Sequence, residues 1–342
     1  MTSPLLTRAG AVAANAPDTD VAAHYGDPVR EGRALEHASG WIDRGNRGVV
    51  RVTGPDRLSW LHSLTSQMLE GAAPGTATES LVLDTKGRIK HHMSILEDGT
   101  AVWAHTEPGT AAELAAFLDS MRFMLRVEVE DLSDTYSVLT LAGPDRETAF
   151  SAVAEVAQDA PVRRGGDEID LFLPVERLSP AAEALTAAGV RPVGMWAYEA
   201  RRIAEHRPRL GLDTDHRAIP HEMGWIGPAV HLEKGCYPGQ ETVARVHNLG
   251  RPPRRLVFLH LDGTAERLPE RGAAIELDGR SVGSVGSSAR HHELGPIALG
   301  LVKRNIPVDA EFIVDGIAAA QEVIVSPDTG ANANITLRRS PR

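Results

Sequence analysis

Hydrophobic positions along the chain repeat one order of elements. VVRV (49–52) and YSVLTL (136–141) are short apolar, β-branched runs that read as strands. The first leads into VTGPDR at Val52–Arg57 and the second into LAGPDR at Leu141–Arg146, 89 residues later. In each copy glycine ends the strand, and proline is placed to open the following helix, where its missing N–H costs little. LSWLHSLTSQML and ETAFSAVAEVA then carry helical patterns. After the first helix come two β-like runs, SLVLDT and IKHHMSIL, with KGR as the turn, then a helix over GTAAELAAFLDSMRF and a strand at LRVEVED. After the second come a β-like pair around residues 162–173, a helix over 180–188, and RPVG. Each half therefore reads β-α-β-β-α-β.

That order is the split βαβ, ferredoxin-like pattern, and its duplication limits the fold strongly. Residues 1–30 are rich in Ala, Pro, Thr and Asp without periodicity and are expected to form a loose arm. The first module is then assigned to 31–135 and the second to 136–250. The prolines of HNLGRPPRR (247–255) block helix and interior strand and mark a linker. Beyond it, RRLVFLHLDG, AAIELDG, SVGSVGSSA, PIALGLVKR and EFIVDG are β-like runs separated by Gly, Asp and Pro. They predict a small barrel over 251–335. VGSVGSS lacks the Lys-Ser/Thr and helix of a phosphate loop and is expected to be a turn between strands. The fold class is α+β: two ferredoxin-like modules and a C-terminal barrel.

Composition narrows the function classes. The 342 residues exceed one comfortable core, so two or three domains are expected. A formal charge of −10 argues against a general nucleic-acid binder. No apolar run reaches the ~18 residues that span a bilayer, and the N-terminus lacks the pattern of a secretory signal. A single cysteine forms no internal disulfide, which fits a reducing cytoplasm.

That cysteine lies in KGCYPGQE (234–241), beside one of only four lysines. A thiol is nucleophilic as thiolate, which a nearby cation favours, and Lys234 is two residues from Cys236. Gly235 and Gly239 allow unusual backbone geometry and Pro238 stiffens the turn. Gln240 and Glu241 supply an amide and a carboxylate. The plainer alternative is a buried, inert thiol. His91-His92 and His291-His292 do not chelate as pairs if extended, because neighbours on a strand face opposite ways. No HExxH occurs, and no stable metal is expected. In WAYEARRIAEHRPRLGLDTDHRAIPHEMGW (196–225), Tyr198, Arg201 and Arg202 open a helix ahead of a loop. Arginine forks suit carboxylates, and a buried Glu suits paired ring N–H donors. An exposed, salt-bridged helix would give the same pattern.

In order, GPDRLSWLHSLTSQ, LDTKGRIKHHMSI, YEARRIAEHRPRLG, KGCYPGQETVARV and VGSVGSSARHHELGPIALGLVKR resemble the YgfZ-type folate-binding proteins. These are relatives of the glycine cleavage T-protein aminomethyltransferase and of the mitochondrial Iba-type iron–sulfur assembly factors. The resemblance runs from about residue 40 to about 326. It implies a T-protein-like folate-binding domain, in which the modules and barrel surround a funnel for tetrahydrofolate. It also implies an accessory role in iron–sulfur cluster assembly or repair, with iron–sulfur client or assembly proteins as partners. Under this reading Cys236 and Lys234 carry the chemistry, with Gly235, Tyr237, Gly239, Gln240, Glu241 and Arg245 shaping the funnel mouth. Tyr198, Arg202, Glu222, Arg88 and His92 would contact folate, Glu222 holding the pterin ring.

One departure matters. Aminomethyltransferases tend to read GGIxDD where this chain reads GRIKHH, so His91 and His92 stand where an aspartate serves the folate nitrogen. An imidazole does not reproduce a permanently ionised carboxylate. This weighs against an aminomethyl transferase and leaves enzymatic activity open. Two alternatives remain: a folate-dependent one-carbon transferase or demethylase, and a non-catalytic interaction module with a vestigial pocket.

Overall fold

The computed structural model describes residues 2–331. The N-terminal segment is not a loose arm. A 3-10 turn at Pro4–Thr7, strands β1 (Val12–Ala13) and β2 (Ala22–His24), and helix α1 (Pro28–His37) pack onto the body. Leu5, Val21, Ala22 and Ala23 are buried, and this apolar anchoring is what holds the segment. Strand β3 (Gly40–Asp43) follows and enters the second module's sheet, so the expected boundary at residue 31 does not separate the modules.

The first module comprises β4 (Gly48–Thr53), α2 (Arg57–Leu64), β5 (Ala77–Leu83), β6 (Ile89–Glu97), β7 (Ala101–Thr106), α3 (Ala111–Ser120) and β8 (Glu128–Asp131). Its sheet order is β5-β6-β7-β4-β8. Without β5, this is the split βαβ order, with β5 added at one edge. Sequence reading had no strand for AVWAHT: its six residues are all buried, so no alternation marks them.

The second module comprises β9 (Tyr136–Ala142), α4 (Arg146–Val153), β10 (Val162–Gly165), β11 (Glu168–Pro174), α5 (Val175–Ala187) and β12 (Arg191–Val193). Its sheet runs β10-β11-β9-β3-β12, with β3 inserted from the N-terminal segment. The GPDR echo is structural. Gly54 and Gly143 turn at φ +101° and +106°, and Asp56 and Asp145 take the N-cap position, so each proline precedes the cap and does not open the helix.

Helix α6 (Met195–Ala204) leads through a 3-10 turn at Pro220–Glu222 to α7 (Gln240–Asn248). The barrel then closes as β13-β16-β15-β14-β17-β18, from β13 (Arg254–Leu261), β14 (Ala274–Leu277), β15 (Arg280–His291), β16 (Gly295–Lys303), β17 (Glu311–Val314) and β18 (Ile317–Val323). The expected barrel end at 335 lies outside the described residues. VGSVGSS belongs to β15 and is not a turn; a side chain at Gly286 would collide with Asp213, so glycine admits that loop against the strand.

The two module sheets face each other. Val49, Trp103, Val138 and Phe172 seal one part of their interface. Where β5, β6 and β7 approach β10 and β11 elsewhere, the facing side chains are polar and a cavity opens.

Candidate functional site

That cavity holds about 340 Å³, within the range of small-molecule sites. Residues of β5, β6 and β7 line one side, residues of β10 and β11 the other, and α6 with the loop after it closes the space. Alternation along β6 sends His92 into the cavity, while His91 is buried away from it with Nδ1 unpartnered.

His92 meets Glu79 of β5, Nε2 to Oε2 2.9 Å, and stacks on Trp225 with ring centroids 4.7 Å apart. Strand register makes the pair: Glu79 lies opposite Ser94 and Leu81 opposite His92, so Glu79 and His92 are diagonal on one face. Burial opposes ionisation of Glu79. The bond to His92 and the charges of His92, Arg163 and Arg207 outweigh it and hold the carboxyl at about 2. A permanently ionised carboxylate therefore faces the cavity, one strand away from where the family pattern placed it.

Deeper groups form a closed network. Arg209 donates to Glu107, Asp18 and Glu199 over 2.8–3.0 Å. Asp18 comes from the segment expected to be loose. Arg47 pairs with Glu107 at 2.6 Å and donates to His105 Nδ1 at 3.2 Å. An accepting Nδ1 leaves the His105 proton on Nε2, which faces Asp170 at 3.3 Å. Burial pushes His105 down to about 3, against the pull of Asp170, so the ring is neutral. Asp170 also accepts from Arg163 and Thr140.

The folate-contact candidates separate. Tyr198 lines the cavity and its hydroxyl donates to Glu168 at 3.3 Å. Arg202 also lines it, but its fork is engaged by Asp213, Glu199 and Ser287, so it supports the wall. Glu222 is not in the cavity. It is buried in a two-pronged pair with Arg254, both contacts 2.8 Å, where the 3-10 turn meets the barrel; the spacing that suggested a ring-holding role matches a domain staple. Arg88 sits in the β5–β6 turn and does not line the cavity either.

The KGCYPGQE segment is locked onto that same turn. Gly239 adopts φ +82°, and a Cβ there would lie 2.6 Å from the carbonyl oxygen of Asp84. Lys234 is buried and donates to the carbonyls of His62, Thr65 and Gln67, with Nζ 4.8 Å from the Tyr237 ring centroid. Its ammonium is spent on main-chain carbonyls, which corrects the expectation of a cation kept for the sulfur. Burial lowers it to about 8, so it stays protonated at neutral pH. Tyr237 is buried, and Gln240 Nε2 donates to the Lys234 carbonyl at 3.3 Å. Gly235, Glu241 and Arg245 are exposed. Cys236 is exposed as well, which excludes the inert buried thiol, and it does not line the inter-module cavity.

Glu36, His37 and Glu293 cluster within 4.8 Å, all exposed, an acidic group of a kind common without an ion. Among the described residues no helix is long and apolar enough to cross a membrane. Glu79, Arg44, Arg47, His105 and Asp170 were not singled out in the sequence; of the residues that were, Tyr198, Arg202 and His92 line this space.

Comparisons agree with this architecture. The family model described as the GCVT N-terminal domain matches residues 4–163. A chain from Arabidopsis thaliana named putative transferase At1g60990, chloroplastic, is 26% identical over 291 residues, covering 77% of this chain and 65% of that one. This chain thus spans under two thirds of that relative's length. Aminomethyltransferases from Symbiobacterium thermophilum (24% over 339 residues, 89% of each chain) and Geobacillus kaustophilus (27% over 303 residues, 81% and 82%) are similar along most of their length. The crystal structure of glycine cleavage system aminomethyltransferase T from Bartonella henselae superposes with a TM-score of 0.80 at 20% identity, covering 93% of this chain and 94% of that one. The fold is T-protein-like: mixed α/β sheets and a closed six-stranded barrel.

Proposed function

We propose that this chain is a folate-dependent one-carbon transferase of the aminomethyltransferase type, acting in the inter-module cavity. The observation that carries the reading is the ionised Glu79, hydrogen-bonded to His92 and facing the cavity. The GRIKHH segment lacks the aspartate of aminomethyltransferases, and that absence had argued against transfer. Glu79 provides the missing negative charge from the neighbouring strand. Names of the relatives support the same class.

The cavity fits tetrahydrofolate by its chemistry. It offers a carboxylate acceptor at Glu79 and an arginine with open donors, Arg44. Tetrahydrofolate would supply the ring nitrogens that accept a one-carbon unit. Glu79 would stabilise positive charge developing beside it, as a charge already fixed in place before the ligand arrives. His92, held by Glu79 and by the Trp225 stack, fixes the direction of that carboxylate.

The test is transfer of a one-carbon unit from an amine donor to tetrahydrofolate, with the folate product quantified. Glu79→Gln should lower turnover about 100-fold, and because the mutation also removes the charge that His92 holds, its melting point should fall while the unfolding transition stays cooperative. A wild type that neither binds tetrahydrofolate nor transfers carbon overturns the reading. A second reading, an accessory role for iron–sulfur proteins through Cys236, is favoured by one observation: the only thiol is exposed on a segment fixed at both ends. Its test is rescue of iron–sulfur enzymes in a deletion strain by the Cys236→Ala variant; full rescue removes the thiol from that role.

A further inference from the structure

Five of the six arginines lining the cavity are ion-paired; Arg44 is not. Arg44 is 94% buried, yet its guanidinium makes no hydrogen bond or ion pair with any described residue, and its Nε is enclosed without a partner. It lies over the Tyr198 ring, 4.8 Å from the guanidinium carbon to the ring centroid, with Asp170 and Glu168 near enough to act on it by charge. Contact with a ring face leaves the donors in the guanidinium plane open.

A buried cation without hydrogen-bond partners is costly, so its donors call for an acceptor that the protein does not supply. We propose that Arg44 is a carboxylate receptor and the specificity-determining residue of the cavity. This rests on the transferase reading for the site but not for the chemistry of the ligand. A planar fork matches a carboxylate through two parallel N–H···O bonds. Glu168 and Asp170 already act on Arg44 through their charge. Their field disfavours a second negative charge, which selects a carboxylate over a phosphate dianion.

The carboxylate has two possible sources: the glutamate tail of a folate, or a small carboxylated amine that donates carbon. Calorimetry on the full chain with three probes distinguishes them: tetrahydrofolate, 6-methyltetrahydropterin (which has no tail) and N-methylglycine. Arg44→Gln should weaken at least one carboxylate-bearing probe about 10- to 100-fold and leave the tail-less pterin unchanged. Loss confined to tetrahydrofolate assigns the tail to Arg44; loss confined to N-methylglycine assigns the donor. Arg44→Lys, which keeps the charge and loses the fork, should recover part of the affinity, and its melting curve checks that the fold tolerates change here. Unchanged binding of both carboxylates by Arg44→Gln overturns the inference while the transferase reading stands. Binding of N-methylglycine through Arg44 by a wild type that ignores both pterins does the reverse. A wild type that binds none of the three overturns both.

Discussion

The inter-module cavity and the KGCYPGQE platform are built in opposite ways. In the cavity, side chains are fixed by one another: Arg209 alone joins Asp18, Glu107 and Glu199, residues from three distant parts of the chain. On the platform the backbone is fixed, by Lys234 on three carbonyls and by Gly239 against Asp84, and the thiol is left exposed. Preorganised charge lining a cavity suits a small ligand that enters it and sheds part of its water. A rigid segment that presents one side chain outward suits something that arrives from outside. Motif rarity in the sequence drew attention to the second region, whereas the concentration of buried charge marks the first.

The largest effect that tests this contrast is at Arg209. Arg209→Met leaves two buried carboxylates, Asp18 and Glu107, and the half-buried Glu199 without their common partner and should destabilise the protein by about 3–5 kcal/mol in chemical denaturation. A loss below about 1 kcal/mol would mean that water or neighbouring arginines compensate these carboxylates, contrary to their dependence on Arg209. Next comes pH. His105 has a lower pKa folded, about 3, than its ordinary 6.5, so the unfolded chain binds more protons in that window. Its contribution to stability is complete above 6.5 and declines as pH falls toward 3. Asp43 works the other way, raised by burial to about 6, so the two partly cancel in the wild type. The His105 share is isolated by comparing slopes. Between pH 6.5 and about pH 4 the wild type should lose up to roughly 3 kcal/mol more than His105→Gln. Equal slopes would show that the ring takes up a proton without cost, contrary to its enclosure.

Periodicity and punctuation made the duplicated modules and the barrel legible, because GPDR marks the same strand-to-helix turn twice and the Gly- and Pro-spaced runs after residue 251 read as strands. The exchange of β3 into the second sheet left no local trace, since a strand's pattern does not name the sheet it joins. The cavity was harder to read for the same kind of reason. Asp18 and Arg209 are 191 residues apart, and neither has a neighbour in sequence that predicts the other. Glu79 precedes the apolar run that was read as a strand, so its place in β5 and its register against His92 appeared only with the sheet assembled. His92 was reached through the resemblance of GRIKHH to the family segment, and alternation along β6 then explains why it and not His91 faces the cavity. Glu222 was placed by resemblance in spacing, and the same spacing serves the pair with Arg254 at the barrel junction.

The smallest predicted effect is at Cys236. Cys236 is exposed and forms no part of a core, so Cys236→Ser should change stability by no more than about 0.5 kcal/mol. It should also leave tetrahydrofolate affinity unchanged within about twofold, because the residue does not line the cavity. Combining it with Glu79→Gln turns the contrast into a measurement. Two regions that act independently give effects on transfer that add, within about 0.5 kcal/mol of activation free energy. A larger coupling would mean that thiol and carboxylate serve one reaction and that the platform is part of the active site. Additivity, together with loss of iron–sulfur enzyme rescue in Cys236→Ser alone, would separate a transferase cavity from an outward-facing thiol with its own partner on the same rigid chain.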